Sequence, residues 1–253
     1  MEKKGHFVLI HGASHGAWCW YKVIPQLKSV GHKVTAMDMA GAGIHPKHVH
    51  EVQSISDYFE PLMNFMASLQ PEEMVILVGH SMGGYCISAA MERYPENVAV
   101  AFKEKMDSDK AMDTQFGFHN GLDKPPTSAC PGPNFLASKF YQLSPPEARL
   151  SQIQSIPFID LTLALTLVRH VCFFNDEESI KAVALTKEKY GTVPQVYIVC
   201  GKDNILKQDF QRWIVENSPP NEVKLIPDSD HMIMFSKPKE LCSCLEEIAE
   251  KYT

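Results

Sequence analysis

MVILVGHSMGGY, residues 74–85, decides the reading of this chain. An apolar run, Met74 to Val78, leads into Gly79-His80-Ser81-Met82-Gly83, and a helical pattern follows over 82–94. A short, continuously apolar run reads as a strand buried on both faces. A G-x-S-x-G turn between such a strand and a helix holds its serine in a strained backbone conformation. The hydroxyl then stands above the sheet, at the positive end of the helix. Small neighbours at 79 and 83 let strand and helix pack closely. Ser81 is therefore the candidate nucleophile.

Five further runs have the same character: HFVLI (6–10), KVTAM (33–37), VAVAF (98–102), QVYIVC (195–200) and EVKLI (222–226). Helical patterns lie between or beside them at 18–30, 55–69, 178–189, 205–217 and 238–250. Strand and helix in alternation predict an α/β fold with a mostly parallel central sheet flanked by helices. The length, 253 residues, suits a single domain spanning 1–253. The alternation breaks between about 103 and 177, where no core strand is legible and prolines 125, 126, 131, 133, 145, 146 and 157 cluster. Such an insertion reads as a lid over the site. Within it, KEKMDSDK (103–110) reads as a solvated connector.

A serine nucleophile needs a base and an acid. With a nucleophile elbow the chain order is Ser, then Asp or Glu, then His, as in the α/β-hydrolase fold. His231 follows the last apolar run, in Asp228-Ser229-Asp230-His231, and no other histidine lies beyond residue 170. A neutral imidazole can take the serine proton and return it to a leaving group. Asp203 directly follows the strand QVYIVC and can orient that imidazole. Asp176 follows no clear strand, Asp209 falls within a helical pattern, and Asp228 and Asp230 are too near His231 to face it.

The oxyanion needs two backbone donors. One is the Met82 amide, after the nucleophile; the other comes from the first strand-to-helix loop, His11-Gly12-Ala13-Ser14-His15-Gly16. His11 and His15 read as loop-shaping hydrogen bonders, with substrate contact as their alternative role. His80 reads as packing. Trp18, Met82, Met232, Met234 and Phe235 either line an apolar pocket or fill the core.

Composition narrows the partners. The net charge is -6 and no basic block occurs, which argues against nucleic acid. No apolar run approaches the roughly 20 residues that span a bilayer, so no membrane partner is expected. The run Phe7 to Ile10 is too short for a signal-peptide core. Seven scattered cysteines without C-x-x-C spacing read as free thiols of a reducing, cytoplasmic compartment. His45, His48, His50 and Glu51 sit on a Pro-containing loop, a poor frame for a metal. Gly41-Ala42-Gly43 lacks the third glycine of a nucleotide loop. Neither metal nor cofactor is expected.

Longer stretches carry a family resemblance. HFVLIHGASHGAWCWYK, GHKVTAMDMAGAGI, DYFEPLMNFMASL, VILVGHSMGGY, GPNFLASKFYQLSP, ALTLVRH, YGTVPQVYIVCGKD and SDHMIMFSKPKELCSCLEEIA resemble the plant methylesterase family, with hydroxynitrile lyases as near relatives. The resemblance covers nearly the whole chain. It implies a cofactor-free carboxylesterase of the α/β-hydrolase fold, acting on small methyl esters such as methyl salicylate, methyl jasmonate or methyl indole-acetate. It implies a triad of Ser81, Asp203 and His231, and it selects Ala13 beside Met82 as oxyanion donors. The lyases carry threonine where Gly12 stands and lysine where Met232 stands, so these positions argue against cyanohydrin chemistry. With His15 and Trp18 they make up the expected substrate-facing set. Homodimers are common in that family, and no stretch here marks an interface.

The chain also departs from the family. After VAVAF, a further stretch of strand and a Met-Pro turn are missing, and Ala111 stands where a tryptophan is usual. SQIQSIPFIDLT (151–162) is extra. A shortened central strand obliges neighbouring backbone groups to find other partners. These departures motivate one rival reading, a protein that binds a hormone-like acid or ester without turning it over. A repurposed lyase or decarboxylase is the other.

Overall fold

The computed structural model describes residues 4–102, 112–144, 159–174 and 177–253. In chain order the strands are β1 (His6–Ile10), β2 (Lys33–Met37), β3 (Val75–Gly79), β4 (Val98–Phe102), β5 (Gln115–Gly117), β6 (Ser128–Cys130), β7 (Val171–Cys172), β8 (Gln195–Cys200) and β9 (Glu222–Ile226). The helices are α1 (Val23–Ser29), α2 (Ile55–Ala67), α3 (Gly83–Arg93), α4 (Pro133–Phe135), α5 (Ile159–Leu167), α6 (Glu177–Ala182), α7 (Gln208–Asn217), α8 (Ile233–Ser236) and α9 (Pro238–Tyr252). All six apolar runs of the sequence form one parallel sheet in the order β2-β1-β3-β4-β8-β9.

The pleat explains why those runs are continuous. Along β1, Phe7 and Leu9 pack with α1 and α9, while Val8 and Ile10 pack with α2 and α3. Both faces are covered, so polar residues have no place to alternate. The chain enters at β1, passes to β2 on one side, then crosses to β3 on the other. The order reverses between β1 and β3, and open α/β sheets bind ligands outside the carboxyl ends at such a reversal. The loops that leave there are 11–16 and 80–82.

Two helices differ from their sequence patterns. The pattern over 18–30 is a 3-10 turn, Ala17–Trp20, followed by α1. Pro25 sits in the first turn of α1, where a missing N–H costs nothing. The pattern over 178–189 stops at Ala182 because Glu92 captures the residues beyond it. Its carboxylate accepts from the amides of Thr186 (2.8 Å) and Tyr190 (3.3 Å).

Within the insertion, the described residues add no strand to the core sheet. They form a small antiparallel sheet, β5-β6-β7, that the sequence did not disclose. The connector 103–110, Ala111 and most of the extra segment (151–158) lie outside the described residues. Among the described residues, β4 pairs with β8 at two positions, Ala101 with Gln195 and Phe102 with Val196. At the end of β8, Gln211 of α7 accepts from the Cys200 amide (2.9 Å) and donates to the Cys200 carbonyl (2.9 Å). Gln211 is fully buried. No helix among the described residues is long and apolar enough to cross a membrane.

Candidate active site

Ser81 stands between β3 and α3 with φ +51°, the left-handed region that L-residues avoid. The turn closes through Gly83 N–H to the His80 carbonyl (2.8 Å) and Gly84 N–H to the Ser81 carbonyl (2.9 Å). The flanking glycines are sterically required. A Cβ on Gly79 would lie 2.6 Å from the Gly83 carbonyl oxygen, and one on Gly83 would lie 2.6 Å from that of Ile10. Both obstacles are backbone and cannot swing aside. Gly83→Ala is expected to lower stability by about 1–3 kcal/mol in urea denaturation, the usual range for overpacking.

Asp203 and His231 lie in the loops after β8 and β9, and the structure brings them together. His231 Nδ1 and Asp203 Oδ2 are 2.8 Å apart, both side chains almost fully buried. The second carboxylate oxygen accepts from the amides of Ile205 (2.6 Å) and Leu206 (2.9 Å). Burial alone would raise the Asp203 pKa. The His231 charge, its hydrogen bond and the two amides outweigh it and hold the carboxyl below the usual range. His80 is held against the same loop, with Nε2 2.7 Å from the His231 carbonyl oxygen. The Phe140 ring lies nearly parallel to the imidazole of His231, centroids 4.9 Å apart.

The loop 11–16 is tied back by its carbonyls. His11 Nε2 accepts from the Met39 amide (3.0 Å), so its Nδ1 carries the hydrogen and donates to the Gly12 carbonyl (2.7 Å). His15 Nδ1 donates to the Ala13 carbonyl (2.8 Å), which leaves Nε2 to accept from the Tyr141 hydroxyl (2.8 Å). The Arg169 amide donates to the Ser14 carbonyl (3.0 Å). Three successive carbonyls, of Gly12, Ala13 and Ser14, are thus engaged. The N–H groups of Ala13 and Met82 make no hydrogen bond among the described residues. They have the donors a developing oxyanion needs.

Burial lowers the pKa of His11, His80 and His15, the last to about 3. All three stay neutral at pH 7. The acidic limb of log kcat/KM against pH is therefore expected to have a slope of one, from His231 alone. A slope of two would show a second histidine titrating with it.

The structure places each member of the substrate-facing set. Gly12 abuts the nucleophile: a Cβ there would meet His80 Nδ1 at 2.8 Å and Ser81 Cβ at 3.0 Å. A threonine at that position needs His80 to move. Trp18 stacks on His15, centroids 5.2 Å apart. Met232, Met234 and Phe235 are fully buried in the cluster that also holds residues of α1 and α9. Met232 meets packed neighbours rather than open space in this conformation. Among the described residues, no three His, Cys, Asp or Glu side chains are grouped to hold a metal. Sequence reasoning missed Phe140, Tyr141 and Asp230. The only signal for Asp230 was an acidic residue beside the base, and its carboxylate accepts from the Leu143 and Met232 amides.

Comparison with known proteins bears on this site. Residues 7–243 match the alpha/beta hydrolase family. Methyl jasmonate esterase 1 of Vitis vinifera is 51% identical, with 100% of both chains covered. Its alignment runs over 273 positions although this chain has 253 residues, so the relative carries residues missing here. Salicylic acid-binding protein 2 of Nicotiana tabacum is 40% identical, again over 100% of both chains. The crystal structure of tomato methylketone synthase I complexed with 2-tridecanone superposes with a TM-score of 0.90 at 41% identity, covering 99% of this chain and 100% of that one.

Proposed function

The chain belongs to the alpha/beta hydrolase family, and from that membership we propose a carboxylesterase that hydrolyses small methyl esters of the plant-hormone type. The observation that carries the reading is the convergence at one reversal of the sheet. A serine on a strained turn, a carboxylate-paired histidine and two amides that find no acceptor among the described residues come together there. Ser81 Oγ attacks the ester carbonyl carbon while His231 accepts its proton. The C=O electrons move onto oxygen, which the Ala13 and Met82 amides receive. The imidazolium, held by Asp203, then protonates the departing methoxide as the C–O bond breaks, and methanol leaves. Water next adds to the acyl-enzyme, giving its proton to His231, and the free acid departs with Ser81 regenerated.

The relatives named as a jasmonate esterase and a salicylic acid-binding protein support a compact acyl group. The assay is p-nitrophenyl acetate beside methyl salicylate, methyl jasmonate and methyl indole-acetate, with Ser81→Ala as control. Turnover of at least one methyl ester that vanishes in the variant is the expected result. Tight binding of the free acid without turnover of any ester would replace the esterase with a binding protein. Seven free cysteines support a reducing compartment, the cytoplasm. A homodimer is the assembly that family resemblance favours, and light scattering decides it.

A further inference from the structure

The turn at residues 138–144 touches three of the loops that carry the chemistry proposed above: those of His15, Asp203 and His231. The Phe140 ring covers His231, and the Tyr141 hydroxyl bonds His15 of the oxyanion loop. Gln142 donates to the Lys202 carbonyl (2.6 Å) and accepts from Asn204 (2.6 Å), the two neighbours of Asp203. The last tie is of another kind. The Leu143 amide donates to Oδ2 of Asp230 (2.8 Å), whose Oδ1 accepts from the Met232 amide (3.1 Å). Asp230 is fully buried and forms no ion pair among the described residues. Burial pushes its pKa up despite these bonds. A buried carboxylate without a cation is unfavourable. A serine or asparagine could accept one N–H here at lower cost. Only a carboxylate accepts both without presenting a donor.

We propose that Asp230 is a positioning residue for ester hydrolysis. Its carboxylate ties the 138–144 turn to the loop carrying His231, so that Phe140 forms a fixed wall over the imidazole against which the acyl group seats. The proposal rests on the esterase reading above. Asp230 acts through Leu143 and touches neither substrate nor reacting atoms. Loosening the tie therefore weakens substrate seating more than it slows the chemical step.

The test uses Asp230→Asn, which keeps the shape and turns one acceptor into a donor, and Tyr141→Phe, which cuts the second tie. Kinetics on p-nitrophenyl acetate are read beside hydrogen–deuterium exchange of peptides spanning 136–144. In Asp230→Asn, KM is expected to rise about tenfold, as for loss of one hydrogen bond to a charged group, with kcat held within about twofold. Exchange should rise in 136–144 and stay unchanged in β1 and β3. The double variant should cost less than the two single variants together, because both ties hold one turn. A fall in kcat at constant KM, unchanged exchange in 136–144, or loss of protection throughout the sheet would each overturn the proposal. The last would make Asp230 an element of the fold alone. Wild-type protein that turns over no ester fails the esterase reading, while the exchange measurement still decides whether the tie exists.

Discussion

Ser81→Ala is expected to lower kcat on any accepted ester by about 10⁶-fold, the scale seen when a triad nucleophile is removed. No neighbour can substitute. Gly79 and Gly83 have no side chain, and His80 is turned toward the His231 carbonyl. The stability of the variants is equally informative. Alanine keeps the left-handed conformation at φ +51° and its strain. Ser81→Gly loses the same hydroxyl but fits that region freely. The glycine variant should therefore be more stable than the alanine variant by about 1 kcal/mol in urea denaturation. Equal stabilities would mean that the elbow stores no strain at this residue.

Asp203→Asn is expected to cost about 10⁴-fold in kcat with the fold intact. The two oxygens of Asp203 have different partners, and this decides how asparagine must sit. The site of Oδ1 receives two N–H groups, from Ile205 and Leu206, so the amide oxygen belongs there. The NH₂ then faces His231 Nδ1, which must become an acceptor. The proton moves to Nε2, and the imidazole presents Ser81 with a donor where a base is needed. Pre-steady-state measurements should show acylation slowed and substrate binding kept. The pH dependence of stability has its origin in the same pair. The folded carboxyl of Asp203 titrates below its unfolded value, so its stabilising contribution is present above the ordinary carboxylate range. It is lost as pH falls through the depressed value. The destabilisation by Asp203→Asn should accordingly be present at pH 7 and shrink only in strong acid.

The sheet and the elbow were legible because their causes are local. A strand covered on both faces must be apolar at every position, as Val75 to Val78 are, and a left-handed serine flanked by glycines carries its own signature. What stayed hidden depends on distant partners. The helix pattern beyond Ala182 is correct as local propensity, and is overruled by Glu92, on another helix. β5, β6 and β7 are two or three residues long, too short for a periodicity, and exist through pairing across the insertion. Asp230 was set aside because it could not face His231. Its carboxylate meets Leu143, 87 positions earlier in the chain. Arg169 is a similar case, holding Ser14 from the residues between α5 and β7, while its guanidinium binds the carbonyls of Gly43, His45 and Lys47.

Gln211 meets Cys200 with one acceptor and one donor, the same pair that a peptide unit of an adjacent strand would offer. Its side chain is a peptide group detached from any strand, supplied at the last residue of β8. A main-chain neighbour ties the length of one strand to the length of the next, whereas a borrowed amide imposes no such tie. The grapevine relative and this chain differ in length within one family, and the contact of Gln211 with Cys200 holds the end of β8 by a bond that no neighbouring strand's length sets.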